Sequence, residues 1–373
     1  MSHVVTSVLP APLQLFAQII KHDGARQLGS AVIFASVPGF DLVEQRINDI
    51  AVVSGVSSVR LQQIIDTGRQ AFDPAAPKRS GQHVVSQSLL KFFYGPTTQG
   101  DRLLSYDLRY GSAKLRSAAS VGRIKDFVKI DSEETENLWG RTERYLPDAI
   151  RAARTRRIFR HPEHVAVIKD AIALHFARSL DVLDSADLNW QQTLARARTA
   201  YLADRGALEE LFYRKHGYYA GGPTVHEQVA ADLLCIPKAL YESGAAFRLR
   251  VVDVFEEARR MAAAAGLEII WPKSGHFLIG DVPAVSIDSA RRALGIRGGV
   301  PFGDATSVIL PLGPTRLAAL GREDRFEAVP AAAVRFTNSL QIEMAHKYVF
   351  MRPGTRLESF VAAQRPPVGS AGL

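Results

Sequence analysis

The chain has 373 residues, of which 47% are hydrophobic, and it carries a formal net charge of +8. This length is enough for two or three domains, and the hydrophobic content is enough for a packed core. No apolar run approaches the roughly 20 residues needed to cross a bilayer, and the single cysteine, Cys235, excludes an intramolecular disulfide and a cysteine-based zinc site.

The basic balance of the chain favours polyanionic partners such as nucleic acid. The excess is almost entirely arginine, with 35 Arg against 11 Lys. Arginine enrichment is also typical of proteins encoded by high-GC genomes, so both explanations stay open. The first residues, Met1–Thr6, lack a basic region followed by an apolar one. We therefore expect no secretory signal, no membrane segment and a cytoplasmic protein.

Residues 1–78 predict a small helical unit that is separate from the rest of the chain. Six basic and six acidic residues cancel there, and the proline- and glycine-containing stretch 73–81 predicts a linker. Within this unit, residues 47–65 resemble a helix-turn-helix, with Gly55 in the turn and Arg60 on the second helix. The segment is either a DNA reader or an ordinary packing motif. The neutral charge of the unit favours the packing motif, because a DNA reader normally carries a positive face.

Residues 79–365 predict one α+β domain that is largely helical, with a small antiparallel sheet built from both ends of the domain. The predicted elements, in chain order, are a strand over 103–108, a helix over 133–160 interrupted at Pro147, a helix over 162–183, helices over 189–215 and 225–265 with a break near Pro237, strands over 267–271, 277–280 and 307–310, a helix over 331–346, and a strand over 348–351. The tail, residues 366–373, is rich in Pro, Gly and Ser and is predicted to be disordered.

Several short motifs of this domain occur in a fixed order along the chain. They are Gln82–Gln87 followed by Leu89 and Phe92, Leu104–Asp107 followed by Gly111, the helix Ile168–Arg178, Gly280–Pro283, Pro311–Pro314, and Asn338 seven residues before Ala345. In this order, over residues of about 80 to 352, they resemble the domain-of-unknown-function family numbered 4238. The resemblance implies a shared fold and a candidate site, but it implies no named reaction.

Four residues from these motifs are predicted to form one catalytic site: His83, Gln87, Asp281 and Asn338. Gln87 lies one helical turn after His83, and a neutral imidazole can act as a general base at physiological pH. Alternatively, His83 fixes a turn. Asp281 either holds a metal or orients a His, or it accepts backbone N–H bonds in a tight turn. Asn338 either binds substrate or bridges strands.

The densest positive charge of the chain lies between Arg144 and Arg160, where Asp148 is the one acidic residue. Arginine binds phosphate bidentately, so this run is suited to a nucleic-acid backbone. The alternative is that these arginines pair with the acidic residues of the segment 133–143. The arginines predicted to bind nucleic acid are Arg151, Arg154, Arg156, Arg157 and Arg160.

No established zinc, P-loop or hydrolase signature occurs in the sequence, so no metal ion is predicted and the cofactor stays open. Two functions of different classes remain. The first is a hydrolase acting on nucleic acid, such as a nuclease that serves as a toxin or defence effector. The second is a noncatalytic regulator, in which the front unit binds DNA or the large domain senses a ligand. The oligomeric state also stays open.

Overall fold

The computed structural model describes residues 82–124, 127–128, 133–288, 292–293 and 300–364, together with the helical residues Val59 and Gln62. Three predicted segments lie outside the described residues: the linker, the disordered tail and, apart from these two residues, the front unit. Among the described helices, none combines the length and apolarity that a membrane crossing requires.

Helices and strands alternate in blocks along the described chain, which confirms the predicted α+β fold. The helices are α1 (Gln87–Leu90), α2 (Glu133–Arg154), α3 (Pro162–Ala177), α4 (Leu180–Ala203), α5 (Arg205–His216), α6 (Pro223–Ser243), α7 (Ala245–Ala264), α8 (Ala331–Met344) and α9 (Leu357–Gln364). The strands are β1 (Gln82–His83), β2 (Leu103–Asp107), β3 (Ser112–Arg116), β4 (Arg123–Ile124), β5 (Gly266–Pro272), β6 (Ile279–Gly280), β7 (Val285–Asp288), β8 (Arg292–Ala293), β9 (Ser307–Gly313), β10 (Arg316–Gly321), β11 (Arg325–Val329) and β12 (Tyr348–Met351).

The strands form three sheets. A four-stranded sheet in the order β3-β2-β12-β6 joins the two ends of the domain, and β2 pairs antiparallel with β12 so that Leu104 lies opposite Met351. This confirms the predicted sheet built from both ends. A six-stranded sheet has the order β11-β5-β10-β9-β7-β8, in which β11 pairs parallel with β5. The short pair β1-β4 places His83 opposite Arg123.

Helix α8 supplies apolar side chains to two hydrophobic clusters. Its Ile342 packs with Leu104, Val349 and other residues of the four-stranded sheet. Its Leu340 and Met344 belong instead to the cluster formed by strands of the six-stranded sheet. Burying each such side chain stabilises the fold by about 1.5–3 kcal/mol. The helix therefore ties both sheets to one core.

Two of the predicted helix breaks are wrong. Pro147 lies inside α2, and Pro237 lies inside α6. An interior proline removes one helical hydrogen bond and bends a helix, but neighbouring residues can keep the helix continuous. The helix predicted over 225–265 ends instead at Gly244, with a φ of 87°, because glycine adopts the left-handed conformation that closes a helix.

The described chain divides into two compact units. One contains residues 186–250, in which α5 and α6 pack through Leu208, Phe212 and Val229. A hydrogen bond of 2.8 Å between Nε2 of His226 and Oε1 of Glu209 joins the same two helices. The other unit contains both sheets of four and six strands and all of the predicted site residues. The sequence did not predict residues 186–250 as a unit apart.

Candidate functional site

A pocket with a volume of about 330 Å³ is formed by residues of β1, α1 and α2. At Gly140, an added side-chain carbon would meet no atom within 4 Å, so the glycine faces open space. β1 and α1 are close in sequence, since α1 starts four residues after β1, whereas α2 comes much later in the chain. The pocket therefore combines residues that are distant in sequence. Its lining consists of His83, Gln87, Ser88, Gly140, Glu143 and Arg144.

The carboxylate of Glu143 is anchored by two donors. The Ser86 hydroxyl and the Nη1 group of Arg178 each donate to Oε1 at 2.7 Å. The side chain of Glu143 remains 32% exposed, and Oε2 receives no hydrogen bond from any described residue. Burial raises the pKa of this carboxyl, but the charge of Arg178 and the two bonds hold the pKa below its usual value. Glu143 therefore offers one ionised oxygen at the pocket.

Arg178 is itself held in a buried position. Only 5% of the residue is exposed, and its guanidinium carbon lies 4.8 Å from the centre of the Trp139 ring. Because α3 ends at Ala177, the arginine leaves the helix at this point and reaches Glu143 on α2. Breaking such a buried pair strands a charge, so each partner holds the other in place.

His175 positions the backbone of Ser86 through a hydrogen bond. Its Nδ1–H donates to the Ala171 carbonyl at 2.7 Å, and its Nε2 accepts the Ser86 backbone N–H at 3.2 Å. Both partners are backbone groups with fixed roles, so the ring is neutral with its proton on Nδ1. Burial lowers the pKa of His175 to about 4. The residue therefore fixes the chain at Ser86, which in turn anchors Glu143.

His83 and Gln87 meet at the pocket, but not through the helical spacing from which this was predicted, because His83 lies in β1 and Gln87 begins α1. Nδ1 of His83 lies 3.4 Å from Nε2 of Gln87. Burial lowers the pKa of His83, and the charges of Arg123 and Arg178 lower it further, so the ring is neutral at neutral pH.

Some buried polar atoms around the pocket have no hydrogen-bond partner among the described residues. They are Nε2 of His83, Oγ of Ser88, Nε1 of Trp139 and Nε of Arg178. Buried polar atoms are paired in most proteins, so each exception calls for a water molecule or a ligand group. His83 and Ser88 also line the pocket. This lining therefore favours a polar ligand over an apolar one.

Asp281 is not part of the pocket lining. Its carboxylate accepts the backbone N–H groups of His346, Lys347 and Tyr348 at 2.8, 2.9 and 2.9 Å. These bonds fix the turn between α8 and β12. Of the two roles considered from the sequence, the structure shows the backbone-binding one.

Asn338 is also engaged with the backbone and does not line the pocket. Its Oδ1 accepts the Leu278 N–H at 3.0 Å, and its Nδ2 donates to the His276 carbonyl at 2.9 Å. One turn later, Gln341 accepts the Gly280 N–H and donates to the Pro283 carbonyl. Asn338 therefore bridges a helix and an extended segment, while His83 and Gln87 remain together at the pocket.

Sequence reasoning missed Glu143, Ser88 and the role of Arg178. The segment 133–143 was considered only as a partner for the arginines that follow it, yet Glu143 bonds to Arg178 instead. No local sequence pattern marks Glu143, because its partners Ser86 and Arg178 lie 57 and 35 residues away along the chain.

The predicted nucleic-acid-binding arginines lie at the end of α2 and in the turn after it. All five are exposed: Arg151, Arg154, Arg156, Arg157 and Arg160. Arg151 pairs with Asp148, three residues before it. The other four form no ion pair with any described residue. No group of three or more His, Cys, Asp or Glu side chains that could hold a metal ion occurs among the described residues.

Comparison with protein families matches residues 81–355 to the model of one family, described as "Protein of unknown function (DUF4238)". No curated protein and no solved structure matches the chain.

Proposed function

The chain belongs to the DUF4238 family, and we propose that it is a hydrolase acting on nucleic acid, with the pocket around Glu143 and His83 as its reaction site. One observation carries this proposal. An ionised carboxylate is held through one oxygen, while its other oxygen is unengaged in an open pocket beside Arg144 and a neutral histidine. Such a set provides a proton acceptor next to a cation that can bind a phosphate.

In the proposed reaction, Glu143 is the general base. Its Oε2 takes a proton from a water molecule, the water oxygen bonds to phosphorus, the ester P–O bond breaks, and the released alcohol takes a proton from solvent. Arg144 pairs with the phosphate and stabilises the charge that develops on it. Gln87 offers a further polar contact to the substrate. General base catalysis typically contributes roughly 10²–10⁴-fold to a rate.

His83 is the second candidate for accepting the proton. Its lowered pKa keeps the ring neutral, as a base requires. However, Nδ1 lies next to the Gln87 amide and Nε2 is buried, so neither nitrogen is as free as Oε2 of Glu143. We therefore assign the principal role to Glu143 and a supporting role in the pocket to His83.

Two observations support nucleic acid as the substrate. The chain has a net charge of +8, and four exposed arginines at the end of α2 and in the turn after it lack ion-pair partners among the described residues. Phosphate groups are the natural partners of such arginines. The regulator hypothesis requires a positive face on residues 1–78, which lie outside the described residues apart from Val59 and Gln62.

Cleavage of labelled RNA and DNA, single-stranded and duplex, tests the proposal. We expect Glu143→Gln to lower kcat at least 100-fold without loss of binding, because the amide cannot accept the proton. Glu256→Gln, at an exposed position on α7, is the matched control and should leave the rate unchanged. His83→Ala should lower the rate less than Glu143→Gln. Cleavage of no nucleic acid by the wild-type protein, or full activity of a folded Glu143→Gln variant, would refute the proposal.

A further inference from the structure

The turn after α2 holds an arginine in a conformation that normally requires glycine. The Arg157 N–H bonds to the Ala152 carbonyl at 2.9 Å, and the Arg156 N–H bonds to the Ala153 carbonyl at 3.3 Å. This pair of bonds ends a helix when the residue that donates the inner bond, here Arg156, is left-handed. That residue is usually glycine. Here Arg156 has a φ of 56°, and Arg356 is the only other non-glycine residue with a positive φ among those described. Backbone strain of this kind points to a use for the side chain.

The side chain of Arg156 lies over the ring of Trp271. Its guanidinium carbon is 3.9 Å from the centre of the Trp271 ring. Trp271 is followed by two more rings, because Phe326 lies 6.4 Å from Trp271 and Phe159 lies 4.7 Å from Phe326. All three aromatic residues are partly exposed. The planes of neighbouring rings are inclined by 59° and 62°, so the arginine lies on Trp271 at one end of a row of tilted rings.

Positive charge surrounds this row. Burial lowers the pKa of Arg316, and the nearby charges of Arg156 and Arg154 lower it further. Nη1 and Nη2 of Arg316 donate to the carbonyls of Thr315 and Arg154 at 2.7 and 2.8 Å, so this arginine is occupied by the backbone. Arg154 and Arg156 have no carboxylate partner among the described residues. They are left for an external anion.

The acidic residues of the neighbouring strands do not neutralise this surface. Glu268 and Glu327 bind Arg325 at 2.9 and 3.0 Å. Side chains alternate between the two faces of a strand, so Glu268 on β5 and Glu327 on β11 lie on the face opposite Trp271 and Phe326. The aromatic row and the exposed arginines thus share one face that carries positive charge.

We propose that Arg156, held by its left-handed turn and by Trp271, is a stacking platform for an unpaired base, and that Arg154, Arg157 and Arg160 bind the adjoining phosphates. The substrate class is therefore single-stranded nucleic acid. This inference rests on the proposed function, since it takes nucleic acid as the partner. A duplex satisfies the arginines but offers no free base face, whereas a single strand offers both.

Binding of fluorescent 12-nucleotide probes, followed by anisotropy at several salt concentrations, tests the platform. The probes are a single strand, its duplex, and an abasic single strand with the same phosphates. Glu143→Gln protein is used so that the probes stay intact. We expect the single strand to bind about tenfold tighter than the abasic strand, within the range of one base-aromatic stack.

Substitution of Arg156 by glycine separates the side chain from the turn. Glycine keeps the left-handed conformation, so Arg156→Gly should fold normally while losing the preference for the single strand over the abasic strand. The slope of log affinity against log salt should stay nearly unchanged, because Arg154, Arg157 and Arg160 still pair with the phosphates. Arg109→Ala, at an exposed turn between β2 and β3, is the matched control and should change neither quantity.

Equal affinity for the single strand and the abasic strand in protein with Arg156 intact, or an unchanged preference in Arg156→Gly, would overturn the platform. Cleavage assays judge the hydrolase separately. Cleavage with no base preference would retain the hydrolase and reject the platform. Base-dependent binding without cleavage of any probe by the wild-type protein would retain the platform and reject the hydrolase.

Discussion

Acid should destabilise the fold through one buried histidine, His175. Its ring is enclosed, and burial lowers the pKa from 6.5 to about 4. The unfolded chain therefore binds a proton at a pH where the native state does not. The stability associated with the neutral ring is fully present above pH 6.5, and it is lost as the pH falls from 6.5 towards 4. A tenfold change in proton affinity corresponds to 1.36 kcal/mol, so the total loss from this residue is about 3 kcal/mol.

Urea unfolding followed by circular dichroism between pH 4 and 8 measures this effect. In His175→Gln, the side-chain oxygen can still accept the Ser86 N–H but cannot titrate. The variant should be less stable at pH 7, yet its stability should fall less between pH 6.5 and 4 than that of the wild type. The lowered pKa of His83 acts in the same direction, so the difference between the two proteins isolates His175. His161→Gln, at a half-exposed ring, is the control. Parallel curves for the wild type and His175→Gln would refute the reasoning.

Two further substitutions separate anchoring of the site from anchoring of the fold. Ser86→Ala removes one of the two donors to Glu143, so the pKa of this carboxyl should rise and the acid limb of the pH–rate profile should move to higher pH; an unmoved limb would mean that Ser86 does not act through Glu143. Asn338→Ala leaves the Leu278 N–H and the His276 carbonyl unpaired and should destabilise the protein by about 1–3 kcal/mol for each group, measured by urea unfolding, with unchanged kcat. A fall in kcat at unchanged stability would instead place Asn338 in the reaction.

Helices and strands with strong apolar patterns were predictable from the sequence. The strand 348–351 and the helix over 331–346 appear within two residues of their predicted bounds, because their apolar spacing reflects burial against the two sheets. The breaks at Pro147 and Pro237 were not predictable in this way. Whether a proline ends a helix or bends it depends on the packing around it, which the local sequence does not contain.

The candidate site was predictable only where its residues are close in sequence. His83 and Gln87 are four residues apart, so the chain keeps them close even though His83 lies in β1 and only Gln87 lies in a helix. Glu143 is 57 residues from Ser86, and only the fold brings them together. Asp281 had two possible roles because a carboxylate that accepts three backbone N–H groups has the same sequence appearance as one that faces a substrate. Tertiary geometry alone distinguishes the two.

Helix α2 carries Glu143 and ends at Arg154, two residues before Arg156, so its length sets the distance between the two proposed centres. Glu143 in the pocket and Arg154 at the helix end are 11 residues apart, which at 1.5 Å per residue corresponds to about 16 Å along the axis. Pro147 lies between them without interrupting the helix. Under the two proposals, a nucleic-acid strand that is bound near Arg154 reaches Glu143 at a fixed distance from that binding site. The helix would then set the shortest fragment that engages both centres, and smaller products would be released because they reach only one.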